Sequence, residues 1–338
     1  MSDKQDQGAA IREAVAEDRP QKAGDQPTGA RAPLAAFRGA EPPAPAWFVR
    51  ALEAAPEREM VETPRGRIET LSWGARGKPG LLLVHGNTAH ADWWSFIAPF
   101  FAEDYRVCAM SLAGMGESDW RERYSSEDFC ADAEAVARAV GLYAGGRKPV
   151  YIGHSFGGGQ VFFAASRHAG QMHAAILIDV GFSGPPESQQ DTARLQRLDP
   201  PAAQRGPNRV YPTLAEALAR FRLSPQQPSE NLYILDYIAR RGLKQVEGGW
   251  TWKFDPNMWD KLDRALISEF YAGPHKVEVP LAHIYGELSI LRTIPGLQDV
   301  YPADGLLFGV PEAHHHVMLD QPIALVSAIR GLLSAWRA

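Results

Sequence analysis

The chain has 338 residues, 45% of them hydrophobic, which is enough to bury a full-sized core and sets a prior of roughly two domains. Its formal net charge of -5 comes without a long basic run, so there is no electrostatic footprint for nucleic acid or an acidic membrane, and neither partner is expected. Cys108 and Cys130 are the only cysteines, too few for a disulfide framework and without metal-ligand spacing. They suit a reducing, cytoplasmic setting, with room for one bridge at most.

Residues 1–46 are rich in Ala, Gln, Pro, Arg and Asp and hold no apolar stretch long enough for a signal-peptide core or a membrane span. They are expected to form a disordered tail, closed by the stiff Pro42, Pro43 and Pro45, with Trp47-Phe48-Val49 as the first anchor on the folded body. Residues 59–73 give two short alternating segments around Pro64-Arg65-Gly66, the pattern of a hairpin. Gly80–Val84 is a solid apolar run, as in a parallel strand buried on both faces, and it ends in His85-Gly86-Asn87. Residues 91–103 carry Trp94, Ile97, Ala98 and Phe101 at helical spacing. Residues 105–111 then read as a strand leading into Leu112-Ala113-Gly114-Met115-Gly116-Glu117-Ser118-Asp119. Ser125 and Asp128 form a capping signature before the stripe Phe129, Ala133, Val136 and Val140, which calls for a helix packed on a sheet.

The next stretch reads V-Y-I-G-H-S-F-G-G-G-Q from Val150 to Gln160. A predicted strand at 149–153 runs straight into a helix bearing Val161, Phe162 and Ala165, with Gly153 and Gly157 on either side of Ser155. That is the context of a nucleophile elbow: a serine on a turn so tight that only small neighbours fit, its hydroxyl clear of the backbone. Another strand, 174–179, ends in Asp179. Between Gly181 and Pro280 the alternation breaks and Pro, Gln, Arg and aromatic residues accumulate. Thr213 with Glu216 predicts one helix cap, and Ser229 a second helix through Leu232, Leu235 and Ile238, stopped by Gly242. Trp250, Trp252, Phe254 and Trp259 follow. Residues 182–279 are therefore expected as a mainly helical lid between two parts of a core, 47–181 and 280–338.

Repeated β-α alternation with short connections specifies an α/β fold with a doubly wound, mostly parallel sheet, whose ligands bind at the carboxyl ends of the strands. Asn87, Ser155 and Asp179 all fall at or just beyond predicted strand ends, so they converge on that reading alone.

The run L-L-V-H-G, the later G-M-G-E-S-D, the elbow G-H-S-F-G-G and the terminal A-H-H-H-V-M-L-D-Q-P together resemble the α/β-hydrolase superfamily, in that family's order. The resemblance covers nearly all of residues 59–338 and implies an eight-stranded sheet, an interrupting lid and a Ser-acid-His triad. It implies that the N–H groups of Asn87 and Phe156 form an oxyanion hole. Among His314, His315 and His316, it selects His315 as the base, five residues before Asp320 and seven before Pro322. A metal site is not expected, because three adjacent side chains on a loop do not easily converge on one ion. His154 reads as structural. The acid departs from the family pattern: most relatives carry an aspartate where this chain has Ser289. Asp179 and Glu287 are the replacements, and Asp179 is preferred because an unpaired carboxylate at the end of a buried strand is costly. The resulting expectation is a cofactor-free serine hydrolase acting on a carboxylic ester or related acyl compound with an apolar or aromatic part. A carbon–carbon bond hydrolase with the same triad, or a non-catalytic binding protein on the same scaffold, are the alternatives.

Overall fold

Strands without polar alternation are stable only where both faces of their sheet are covered. In this computed structural model, which describes residues 32–143, 146–181, 206–263, 276–293 and 305–337, the central strands meet that condition. Along β3 (Gly80–Val84), Leu81 and Leu83 enter one buried cluster while Leu82 and Val84 enter the other. In β6 (Ala174–Ile178), Ile176 and Ile178 face the first cluster and Leu177 the second. One face is covered by the helices Ser126–Ala139 and Ser155–Arg167, the other by Ala46–Glu53, Leu232–Arg241 and Pro322–Ala335.

The sheet has eight strands in the order β1-β2-β4-β3-β5-β6-β9-β10. β1 (Glu57–Thr63) and β2 (Gly66–Trp73) form the expected antiparallel hairpin, and β2 also pairs antiparallel with β4 (Arg106–Met110). From β4 onward all neighbours run parallel, including β5 (Val150–His154), β9 (Leu281–Gly286) and β10 (Leu306–Val310). The strand order reverses between β3 and β5, which is where ligands bind in such sheets. Two of the three predicted helix caps recur, Ser125 Oγ accepting from Asp128 N–H and Thr213 Oγ1 from Glu216 N–H.

Three regions differ from expectation. Residues 91–103 form two 3-10 turns, Ala91–Trp94 and Ala98–Phe101, instead of one α-helix. Pro99 lacks the N–H an α-helix needs there and its ring crowds the preceding turn, although Trp94, Ile97, Ala98 and Phe101 are buried as the spacing implied. Packing also begins before residue 46: Leu34 lies in the core and Arg240 donates to the Gly39 carbonyl. The insertion after β6 holds the helices Leu214–Leu218, Leu232–Arg241 and Met258–Lys261. It also holds a two-stranded hairpin, β7 (Leu243–Val246) with β8 (Gly249–Trp252). Gly248 and Gly249 take positive φ at its turn, and a Cβ on Gly249 would strike the Tyr211 carbonyl at 2.0 Å. That glycine pair beside Trp and Thr is a hairpin signature the helical reading passed over. Ser229 does not cap the helix it was expected to open; Asn231 occupies that position.

Candidate active site

Ser155 follows β5 directly and begins the helix Ser155–Arg167 at φ 50°. A left-handed conformation costs a non-glycine residue about 1–3 kcal/mol, so the surroundings must enforce it. Here they do so by close approach. A Cβ on Gly157 would stand 2.2 Å from the His85 carbonyl oxygen, and one on Gly153 2.6 Å from that of Gly157. The strand end of β3 is thereby pressed against the turn. A Cβ on Gly86 would lie 3.3 Å from Ser155 Cβ, which brings the backbone leading into Asn87 alongside the serine. Phe156 N–H belongs to the first helical turn, whose N–H groups have no intrahelical acceptor. His85 is committed to this architecture: its Nδ1–H donates to Gly86 O while its Nε2 accepts from Leu112 N–H, and burial pushes its pKa down to about 3.

The structure brings Ser155, His315 and Asp179 into one relay. Ser155 Oγ–H points at His315 Nε2, 2.9 Å away, and His315 Nδ1–H donates to Asp179 Oδ1, also at 2.9 Å. His315 and Asp179 are each 2% exposed, while Ser155 is half-buried and so forms the open end of the chain. Asp179, like Ser155, sits at a strand end with positive φ, 45°. Its conformation is held by its own N–H to Ile284 O and by Val180 N–H to His283 Nε2. Burial lowers the His283 pKa to about 4, which keeps that nitrogen an acceptor at neutral pH.

Glu287 is exposed, and the His315 imidazole bonds to Asp179 and Ser155. Ser289, where the family resemblance leads one to expect the acid, donates its hydroxyl to Asp179 Oδ1 at 2.6 Å, and Gly286 N–H donates to Asp179 Oδ2 at 2.7 Å. Both bonds fix the position of the carboxylate. Sequence reasoning gave Ser289 no part, since a hydroxyl carries no charge. It also missed Gly286, where a Cβ would lie 2.3 Å from both the Ala313 and His314 carbonyl oxygens. Only glycine lets the acid loop and the histidine loop meet.

Two residues from the insertion hold the histidine loop, and no local pattern announces them. Gln227 Nε2 donates to the Asp320 carboxylate at 3.0 Å while its Oε1 accepts from His316 N–H at 2.8 Å; Asn231 donates to the Leu319 and Asp320 carbonyls. Asp320 in turn accepts from His314 N–H, which gives the five-residue spacing from His315 a physical meaning: Asp320 ties down the backbone beside the imidazole. His154 donates through Nε2 to the His315 carbonyl, and burial pushes its pKa down to about 3. Cys108 and Cys130 are free and buried, so no bridge joins them.

A small cleft opens beside the Asn87 loop, lined by Thr88, His90, Trp93, Phe221, Trp252 and Phe254. Trp93 links it to the relay, its ring 5.5 Å from that of His316, which lies 4.8 Å from His315. Trp259 packs edge-on against Phe156 at 5.3 Å. Among the described residues, no helix is long and apolar enough to cross a membrane.

Residues 79–220 match the model of the alpha/beta hydrolase fold family. The chain is 25% identical to the esterase Rv0045c of Mycobacterium tuberculosis over 303 residues, 82% of this chain and 89% of that one. The structure of that esterase, solved in work on its transition metal inhibition, superposes with a TM-score of 0.61 at 23% identity, covering 92% of this chain and all of that one. A thioesterase domain from the curacin biosynthetic pathway gives a TM-score of 0.64 at 23% identity, covering 82% and 99%. Epoxide hydrolase 4 of Mus musculus is 36% identical over 95 residues, which is 27% of this chain and 25% of that protein. The match over residues 79–220 and the sheet architecture shared with these solved structures give this chain the fold of the α/β hydrolases.

Proposed function

We propose that this hydrolase is a serine enzyme that cleaves a carboxylic ester or related acyl compound through an acyl-enzyme. The observation that carries the reading is the unbroken relay from Ser155 through His315 to Asp179, with both links at 2.9 Å. Ser155 attacks the carbonyl carbon while His315 Nε2 takes its proton and then delivers it to the leaving alkoxide. Water repeats the sequence to release the acid. Asp179 fixes the imidazole tautomer and stabilises the imidazolium. Asn87 and Phe156 N–H groups receive the developing oxyanion, each worth about 3 kcal/mol where such donors have been removed in other hydrolases. A serine nucleophile sets this chemistry apart from that of epoxide hydrolases and dehalogenases, which use an aspartate at the elbow. None of these steps calls for a metal or organic cofactor.

Residues 206–263 and 276–279, the described parts of the stretch expected at 182–279, act as a lid over this centre; residues 182–205 and 264–275 lie outside the described residues. The contacts of Gln227 and Asn231 with the histidine loop, and of Trp259 with Phe156, support that role. The aromatic cleft beside Asn87 favours a substrate with an apolar or aromatic part. Two free, buried thiols suit a reducing compartment such as the cytoplasm. Turnover of short p-nitrophenyl esters is the test. Wild type hydrolyses them and folded Ser155→Ala does not; near wild-type turnover by that variant overturns the mechanism.

A further inference from the structure

Three buried imidazoles converge beside the serine. One ring nitrogen from each of His154, His315 and His316 lies within 4.8 Å of the others. His154 comes from the end of β5, and it supplies what three consecutive histidines on a loop could not: a ligand from a second direction. His314, the third member of the sequence run, turns away to Asp320.

The hydrogen bonds around these rings leave each imidazole with a ring nitrogen that is not used as a donor. His154 uses Nε2–H on the His315 carbonyl, so its Nδ1 is a bare acceptor, buried and without a partner. A Cβ on Gly86 would lie 2.8 Å from that Nδ1 and 3.3 Å from Ser155 Cβ, so the lone pair opens onto the same small space as the serine. His315 uses Nδ1–H on Asp179, leaving Nε2 for Ser155. Neither ring nitrogen of His316 closes a well-formed hydrogen bond, and the Pro225 carbonyl stands near enough to orient one of them. A buried polar atom left without a partner costs about 1–3 kcal/mol, and such atoms in a native structure ask for an explanation.

We propose that His154, His315 and His316 form a latent site for one borderline divalent transition ion such as Zn²⁺, and that its occupation switches the serine relay off. Neutral imidazole suits Zn²⁺, Cu²⁺ and Ni²⁺, whereas Mg²⁺ and Ca²⁺ prefer oxygen. The outer partners, a carboxylate on His315 and a backbone carbonyl on His154, are the groups that orient metal-bound histidines in general. Tetrahedral geometry at 2.0–2.1 Å bonds puts ligand atoms about 3.4 Å apart, so the rings must draw together by about an ångström. Water or Ser155 Oγ completes the shell. Coordination takes the His315 Nε2 lone pair, the hydrogen bond from Ser155 breaks, and the hydroxyl proton loses its acceptor.

The inhibitory half of this proposal rests on the serine mechanism; the binding half does not, and the test separates them. Zn²⁺ binding to the full chain is measured by competition with a chromophoric chelator, and fluorophosphonate labelling of Ser155 is followed in the same titration. The expected result is one Zn²⁺ per chain, weakened by more than about tenfold in His154→Asn and in His316→Asn, a loss that removal of even an outer-shell partner produces. Labelling stops as Zn²⁺ binds and returns with EDTA. Co²⁺ provides a check that needs no variant: wild type should show the intense visible bands of a tetrahedral ion, abolished by EDTA. No Zn²⁺ uptake at micromolar concentration, meaning that water alone fills the site, overturns the proposal. So does unchanged affinity in both variants, an octahedral Co²⁺ spectrum, or labelling that continues or quickens when the ion is bound.

Discussion

Ser155 lies two residues from each glycine that makes its turn possible, whereas His315 and Asp179 are 136 residues apart in the chain and meet only through two loops. The nucleophile corner is local: strand, turn and helix are contiguous, and small residues at fixed offsets enforce the left-handed backbone at Ser155. The acid–base corner is assembled. It needs the end of β6, the end of β9 with Gly286 and the loop beyond it with Ser289, the histidine loop after β10, and Gln227 and Asn231 from the insertion. A local corner tolerates changes elsewhere, while an assembled one can be damaged from any contributing segment. Substitutions outside the elbow should therefore act mainly on His315.

The largest effect expected in the assembled corner comes from the carboxylate itself. Asp179→Asn keeps the volume and removes the charge that fixes the imidazole, and turnover of an accepted ester should fall by about 10⁴, as in triad proteases. Steady-state kinetics on folded variant checks this; a mild loss would break the comparison at its centre. Gly286→Ala comes next. Its methyl group must displace the Ala313 and His314 carbonyls, and a displacement of about 1 Å at a catalytic group can cost about 10²-fold in rate. Gly170→Ala, where a Cβ meets nothing within 4 Å, is the control and should leave kcat unchanged. Ser289→Ala removes one hydrogen bond to a charged group, worth about 1.5–3 kcal/mol, and should lower kcat by about tenfold. Glu287→Gln, at an exposed site, should stay within about twofold of wild type. If Glu287→Gln proves more damaging than Ser289→Ala, the acid has been assigned to the wrong strand.

A further effect, on stability and not on turnover, appears as the pH falls below neutral. His85 and His283 each accept a backbone N–H, and burial depresses their pKa values to about 3 and about 4. In the unfolded chain they titrate near 6.5, so the unfolded state binds protons first as the pH falls. Their contribution to stability is complete above about pH 6.5 and disappears as the pH drops towards 3–4; at pH 5 each has lost about 2 kcal/mol. Urea unfolding at pH 7.5 and pH 5 measures this, and equal midpoints would contradict it.

The same division governs what could be read from the residues. The parallel strands were legible because burial on both faces leaves an unbroken apolar run, and Ser155 because its turn demands glycines at set distances. His315 was selected through Asp320, whose bond to the His314 N–H shows why that spacing matters. Ser289, Gly286 and Gln227 were not legible: each acts through a contact made only after distant segments meet, and nothing in its neighbours announces it. Residues 91–103 show a milder failure. Helical spacing correctly named the buried side chains, yet Pro99 broke the backbone into two short turns.

The central claim is that the relay through His315 and Asp179 activates Ser155, and the rate of fluorophosphonate labelling reads that activation without needing the natural substrate. Incubation of the full chain followed by peptide mass spectrometry should find the adduct on Ser155, formed fast in wild type and in Glu287→Gln and orders of magnitude more slowly in Asp179→Asn. Folded wild-type protein that takes no label at Ser155, or an Asp179→Asn variant that labels as fast as wild type, would contradict the account.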